Sequence, residues 1–124
     1  GLQCLAVRLP WWRSLTDLEL TDNQLRVDGI TALAEALPKV RSLRRLSLAY
    51  NSLGNAGVAA LTTGLARNTS VLELDLSDNS IGDEGCKSLA AVLAARRCRL
   101  QFLNVSVNAF ETDGAQSLAE ALHT

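Results

Sequence analysis

The chain has 124 residues, 48% hydrophobic and 20% charged, with 12 Lys and Arg against 13 Asp and Glu for a net charge of −1. That balance supplies no global field for a nucleic-acid partner, and no apolar run is long enough to cross a bilayer as a helix. The start, Gly1-Leu2-Gln3-Cys4, has no basic stretch ahead of a long apolar core and does not read as a signal peptide, while Cys4, Cys86 and Cys98 show no metal-ligand spacing and fit a reducing, cytoplasmic or nuclear setting as small buried residues.

In chain order, residues 1–9 read as the end of a helix, because Gly1, Leu2, Leu5 and Leu9 fall 28 residues before Gly29, Ile30, Leu33 and Leu37. The loop Pro10-Trp11-Trp12-Arg13-Ser14 matches Pro38 to Ser42. This puts Trp12 at the core edge, where Val40 would pack, and Trp11 either on the surface or under further repeats of a longer array. Residues 1–14 are thus expected to be the end of a truncated repeat, in a chain cut from a longer array. Residues 15–42 form the first full unit, with a strand near Asp17 to Leu20 and a helix over Asp28 to Leu37, stopped by Pro38, which cannot continue it. Residues 43–70 repeat this with a strand near Arg45 to Leu48 and a helix over Ala56 to Ala66. Residues 71–99 follow, one residue longer in the loop Arg96-Arg97-Cys98-Arg99. Residues 100–124 close the chain with a strand near Phe102 to Val105 and a helix over Asp113 to Leu122.

The units align on Asn23, Asn51, Asn79 and Asn108, spaced 28, 28 and 29 residues apart. Apolar columns stand at fixed offsets: Leu18, Leu46, Leu74 and Leu103; Leu20, Leu48, Leu76 and Val105; Leu25, Leu53, Ile81 and Phe110. Helical columns follow in Leu33, Leu61, Leu89 and Leu118, and a Gly column in Gly29, Gly57, Gly85 and Gly114. A period of this size means a solenoid, since one unit cannot bury its own apolar face. The column four after each Asn reads Val27, Asn55, Asp83 and Thr112, and the last three suit the N-cap of the helix that follows. Asn68-Thr69-Ser70 is a glycosylation sequon by letter but reads as a turn before a strand.

The pattern L-x-x-L-x-L-x-x-N-x-L, closed by G-x-x-x-L-x-x-x-L, resembles the leucine-rich repeat family, and its 28–29-residue length resembles the ribonuclease-inhibitor-like subfamily. The resemblance implies an α/β horseshoe with a curved parallel sheet on the concave face and helices on the convex face. Strands pair about 4.8 Å apart whereas helices are about 10 Å wide, which forces that curvature. The Asn column is expected to turn inward and satisfy backbone groups where the chain leaves the strand, so Asn79→Leu should destabilise by roughly 1–3 kcal/mol. All-Asn columns with Asn-Thr-Ser loops are similar to repeats of cytosolic nucleotide-binding innate immune receptors. That similarity implies a ligand-sensing or scaffolding part of a larger intracellular protein. A GTPase-activating protein of the Ran type, or a structural segment of a longer array, are the alternatives.

No catalytic motif, cofactor loop or metal cluster is present: His123 stands at the chain end, and Asp75 and Asp78 read as repeating strand and turn positions. A non-enzymatic protein-binding module without cofactor is therefore expected. Alternation along the strands points one set of side chains into the concave face. The candidate partner-binding residues are Asp17, Glu19, Asp22, Arg45, Tyr50, Glu73, Asp75, Asp78, Phe102 and Asn104. Ala49 and Val107 stand in the same columns. Acidic side chains dominate, which suits a protein partner with a basic surface, with Tyr50 and Phe102 as anchors. Membrane and nucleic acid are not the expected partners. Lys39, Arg41, Arg67, Lys87, Arg96, Arg97 and Arg99 fall on the helix and loop side. Open repeat ends make end-to-end self-association an expectation.

Overall fold

The computed structural model describes residues 15–95 and 99–122. Cys4, Trp11, Trp12, Arg96, Arg97, Cys98 and His123 lie outside them, as does the truncated repeat expected at 1–14. Among the described residues, strands β1 (Asp17–Glu19), β2 (Arg45–Ser47), β3 (Glu73–Asp75) and β4 (Phe102–Asn104) alternate with helices α1 (Arg26–Ala36), α2 (Gly54–Leu65), α3 (Asp83–Leu93) and α4 (Thr112–Leu122). The strands form one parallel sheet in chain order. Its register follows the repeat: Asp17 pairs with Arg45, Arg45 with Glu73 and Glu73 with Phe102. The strands are one residue shorter than the pattern suggests, yet Leu20, Leu48 and Leu76 still donate to Ser47, Asp75 and Asn104 carbonyls at 2.7–2.9 Å. No helix among the described residues is long and apolar enough to cross a membrane.

The apolar columns meet in one core, with Ile30, Leu33, Leu43, Leu46, Leu48, Leu61, Leu74, Leu76, Ile81 and Leu89 fully or almost fully buried. Cys86 joins them; burial, then the neighbouring Asp83 charge, push its thiol up to about 11. It stays protonated and behaves as a small apolar side chain. Pro38 does not simply halt α1: it sits in a 3-10 turn, Leu37–Lys39, that carries the chain on toward the next strand.

The Asn column forms a ladder whose middle members, Asn51 and Asn79, are buried. Asn51 Nδ2 donates to the carbonyls of Leu20, Leu48 and Ala49 at 2.8–3.0 Å, and its Oδ1 accepts from Asn23 N at 2.9 Å. Asn79 repeats this on Leu48, Leu76 and Ser77, accepting from Asn51 N at 2.9 Å and Leu53 N at 3.4 Å. Asn108 does the same for Leu76, Val105 and Ser106, accepting from Asn79 N and Ile81 N. The Leu48 and Leu76 carbonyls are thus each held by the Asn of their own repeat and by the next. The residue before each Asn (Asp22, Tyr50, Asp78 and Val107) has φ between 53° and 59°, the left-handed turn that swings the Asn under the sheet.

The cap column corrects a sequence expectation. α2 starts at Gly54 and α3 at Asp83, so Asn55 and Asp83 already lie inside the first turn and make no cap bond to their own helix. They reach forward instead. Asn55 Oδ1 accepts from Gly82 N at 2.8 Å and Gly85 N at 3.0 Å; Asp83 Oδ1 accepts from Glu111 N at 2.7 Å and Gly114 N at 3.0 Å. Each oxygen therefore satisfies the orphan donors that open the next helix. This also accounts for two members of the Gly column: a Cβ on Gly85 would stand 2.8 Å from Asn55 Oδ1, and one on Gly114 would stand 2.7 Å from Asp83 Oδ1. Asp83→Ala is expected to destabilise by about 1 kcal/mol through α4. Hydrogen exchange should rise at Glu111 and Gly114, and unchanged exchange there would contradict forward capping.

The sequon is structural. Asn68 is buried, and its Nδ2 donates to Leu37 O at 2.7 Å and Val40 O at 3.1 Å, while Oδ1 accepts from Ser70 N and Val71 N.

Candidate functional site

The four strands leave a groove of about 380 Å³ on the concave face. Seven of the ten sequence candidates line it: Asp17, Glu19, Arg45, Tyr50, Glu73, Asp75 and Phe102, joined by Thr21, Ser47 and Ser77. Leu18, Leu46 and Leu74 point the other way into the core, as alternation requires. Ala49 lines the floor but is buried, because its methyl is too short to rise between the Thr21 and Ser77 columns.

Asp22 and Asp78 do not line the groove. Both occupy the left-handed turn beyond the strands, where their N–H groups bond to the Ala49 and Ser106 carbonyls. Asn104 also stands outside it, and its Oδ1 accepts from Ser106 N at 3.0 Å and Ser106 Oγ at 2.7 Å. Asp75 makes the same local turn with Ser77, at 2.9 and 2.7 Å. One carboxylate oxygen of Asp75 is therefore already committed. The Asp75-Leu76-Ser77 and Asn104-Val105-Ser106 spacings carry the signal that could have shown this.

In the row that opens the strands, Asp17, Arg45, Glu73 and Phe102 stand side by side. Arg45 Nε lies 2.8 Å from Glu73 Oε2, with the two side chains 66% and 47% exposed. A pair that open to water contributes within about 0–1 kcal/mol and exchanges readily for another partner. Asp17 and Glu19 have no ion pair among the described residues. Tyr50 and Phe102 are 54% and 57% exposed, so two large aromatic faces meet solvent at the groove. Among the described residues no group of three or more His, Cys, Asp or Glu is placed to hold a metal ion.

Solved structures share the architecture. One, titled Leiomodin-1 Actin-Binding Site 2, superposes with a TM-score of 0.81 at 16% identity over 94% of this chain and 69% of its own. Another, the Caenorhabditis elegans tropomodulin C-terminal domain, gives 0.70 at 13% identity over 99% of this chain and 92% of its own. At such identities the likeness establishes the fold alone. No curated protein sequence matches the chain. A family model described as Leucine Rich repeat matches residues 13–34, 41–61 and 67–90, more than half of the chain and in step with its first three full repeats. With that match, the Asn ladder and the stacked strand–helix units, this chain belongs to the leucine-rich repeat family.

Proposed function

We propose that this chain is a non-enzymatic protein-binding module that takes a basic segment of a partner in its concave groove. The observation that carries this reading is the groove itself. Carboxylates on β1 and β3 flank a floor of small polar side chains, and two exposed aromatic rings line it, Phe102 at the start of β4 and Tyr50 beyond the end of β2. Aromatic side chains amid polar groups make good anchors, and opposite charge speeds encounter. The short strands stack in register, so the side chains are held by the scaffold rather than by mobile loops. The repeats are of the ribonuclease-inhibitor-like type, and the module serves as the ligand-sensing or scaffolding part of a larger intracellular protein. The actin-binding title of one structural neighbour makes monomeric actin a partner to include in the test.

The test is titration of immobilised chain with peptides that carry paired Arg or Lys beside a Leu or Tyr, with acidic versions as controls, and with monomeric actin. Wild-type chain is expected to bind a basic peptide or actin with an affinity that falls as salt rises. Combined Asp17→Lys, Glu73→Lys and Asp75→Lys should abolish binding while the melting midpoint stays within a few degrees. Equal binding by that variant would remove the groove from the interface. Accelerated GTP hydrolysis by a small GTPase mixed with the chain would favour a GTPase-activating role instead.

A further inference from the structure

We propose that the edge of the solenoid where helices hand over to strands docks on an anionic membrane surface. This goes beyond the groove and uses a different face. The loops there carry Lys39, Arg41, Arg44, Arg67 and Arg99, all exposed. None of them is among the described ion pairs, which are Arg45 with Glu73 and Lys87 with Glu84. The sequence contains no Asp or Glu between Ala36 and Leu72, nor between Gly85 and Phe110. Glu35 on α1 and Glu120 on α4 share a repeat column near the helix ends, Glu120 beside Ala94, while Asp17 and Glu73 stand at the strand starts. Glu73 already holds Arg45, and Asp17 points into the groove.

Helix dipoles account for only part of this. A cation just past a helix C-terminus is stabilised by the carbonyl ends, which covers Lys39 and Arg67. Arg41, Arg44 and Arg99 lie further along the loops, outside the reach of the last turn. Like charges in such numbers repel one another unless an anion faces them.

The platform is also rigid. Asn68 and Ser70 both bind the carbonyl of Val40, which ties the Lys39–Arg41 stretch to the loop that starts at Arg67. Arg44 Nη1 spans the two loops by donating to Arg41 O and Ser70 O, each at 3.3 Å. Leu72 and Glu73 donate to Arg44 O, while Gln101 and Phe102 donate to Leu72 O, so the segment that enters β4, two residues after Arg99, continues in register. A horseshoe bends within the plane of its own arc, so loops along one edge share a plane. That edge meets a flat partner with all its cations at once.

The chemistry of the edge selects lipid over other polyanions. A protein interface wants a buried apolar centre, but the exposed large hydrophobics among the described residues, Val27, Tyr50, Phe102 and Val107, lie elsewhere. Single-stranded nucleic acid wants aromatic rings between the cations, and among the described residues the exposed rings, Tyr50 and Phe102, are on the groove side. Phospholipid headgroups need only an array of cations, and guanidinium groups suit their phosphates. The sequence argument against a membrane concerned spanning helices and leaves a peripheral contact open. Seated on this edge, the chain would hold its acidic groove side-on to the lipid and open to a partner.

Sedimentation with vesicles tests the proposal. The chain is expected to bind vesicles of 30% phosphatidylserine in phosphatidylcholine at low salt, and not pure phosphatidylcholine. Each edge cation contributes about fivefold in partitioning, so combined Lys39→Ala, Arg41→Ala and Arg67→Ala should weaken binding about a hundredfold. Lys87→Ala, which removes a cation from α3, should change it less than twofold. Circular dichroism on the triple variant separates lost binding from lost fold; should it fail to fold, Arg67→Ala alone must still show its fivefold loss. The proposal falls if phosphatidylserine vesicles are not bound, if phosphatidylcholine is bound equally, or if the folded variants bind like wild type. It also falls if duplex DNA or polyglutamate is bound while vesicles are not. The groove variant Asp17→Lys, Glu73→Lys, Asp75→Lys should retain vesicle binding, so the two readings fail separately.

Discussion

Asn79→Leu is expected to lower the unfolding free energy by about 3 kcal/mol, and the melting midpoint by roughly 10 °C. The carbonyls of Leu48 and Leu76 would each keep one partner, Asn51 and Asn108 respectively, and Ser77 O would still accept from Tyr50 N. The loss falls instead on the buried N–H of Asn51, whose 2.9 Å acceptor disappears. An orphaned buried donor costs about 1–3 kcal/mol, and the surrendered second bonds add to it. Asn23→Leu is the comparison. Asn23 is exposed, with a 3.0 Å bond from Nδ2 to Thr21 O, and its replacement should cost less than about 1 kcal/mol. Denaturant melts of both variants check the contrast; equal effects would mean that burial, not the repeat identity, has been misjudged.

Gly64→Ala is expected to destabilise by about 2–3 kcal/mol, against the gain of up to about 1 kcal/mol that Ala brings to a helix interior. A Cβ at Gly64 would stand 2.7 Å from Ala34 Cα and 2.8 Å from Ala34 C, with the Ala34 carbonyl oxygen nearer still. These are backbone atoms of α1, so no rotamer change relieves the clash and α1 must move away from α2. Ala34→Gly should therefore fail to rescue the variant, which distinguishes a backbone clash from ordinary side-chain crowding. A Gly64→Ala chain as stable as wild type would show that the helices separate freely.

The sequence made the scaffold legible because scaffold positions repeat. The register of the sheet follows from the column that holds Asp17, Arg45, Glu73 and Phe102, and the burial of Asn51 and Asn79 follows from the Asn column. What repetition does not report is which neighbour a side chain touches. Asn55 and Asp83 looked like caps for their own helices because the column shows only where they stand in the repeat; their partners lie in the next one. Gly64 was invisible because its column otherwise reads Ala36, Val92 and Ala121, so nothing marked a close approach. In the groove, alternation identified the facing residues but not the local turns that occupy Asp75 and Asn104, nor the left-handed backbone that carries Asp22 and Asp78 past the end of the strands.

Forward capping has a consequence for how this chain comes apart. Asn51 and Asn79 reach back to the preceding repeat, while Asn55 and Asp83 reach ahead to the following one. A central repeat is therefore gripped from both sides, and releasing it strands polar groups in two neighbours at once. Opening in the middle is penalised twice, opening at an end once. Unfolding then runs as a zipper from the ends of the stack, with each step breaking a junction between repeats rather than a repeat.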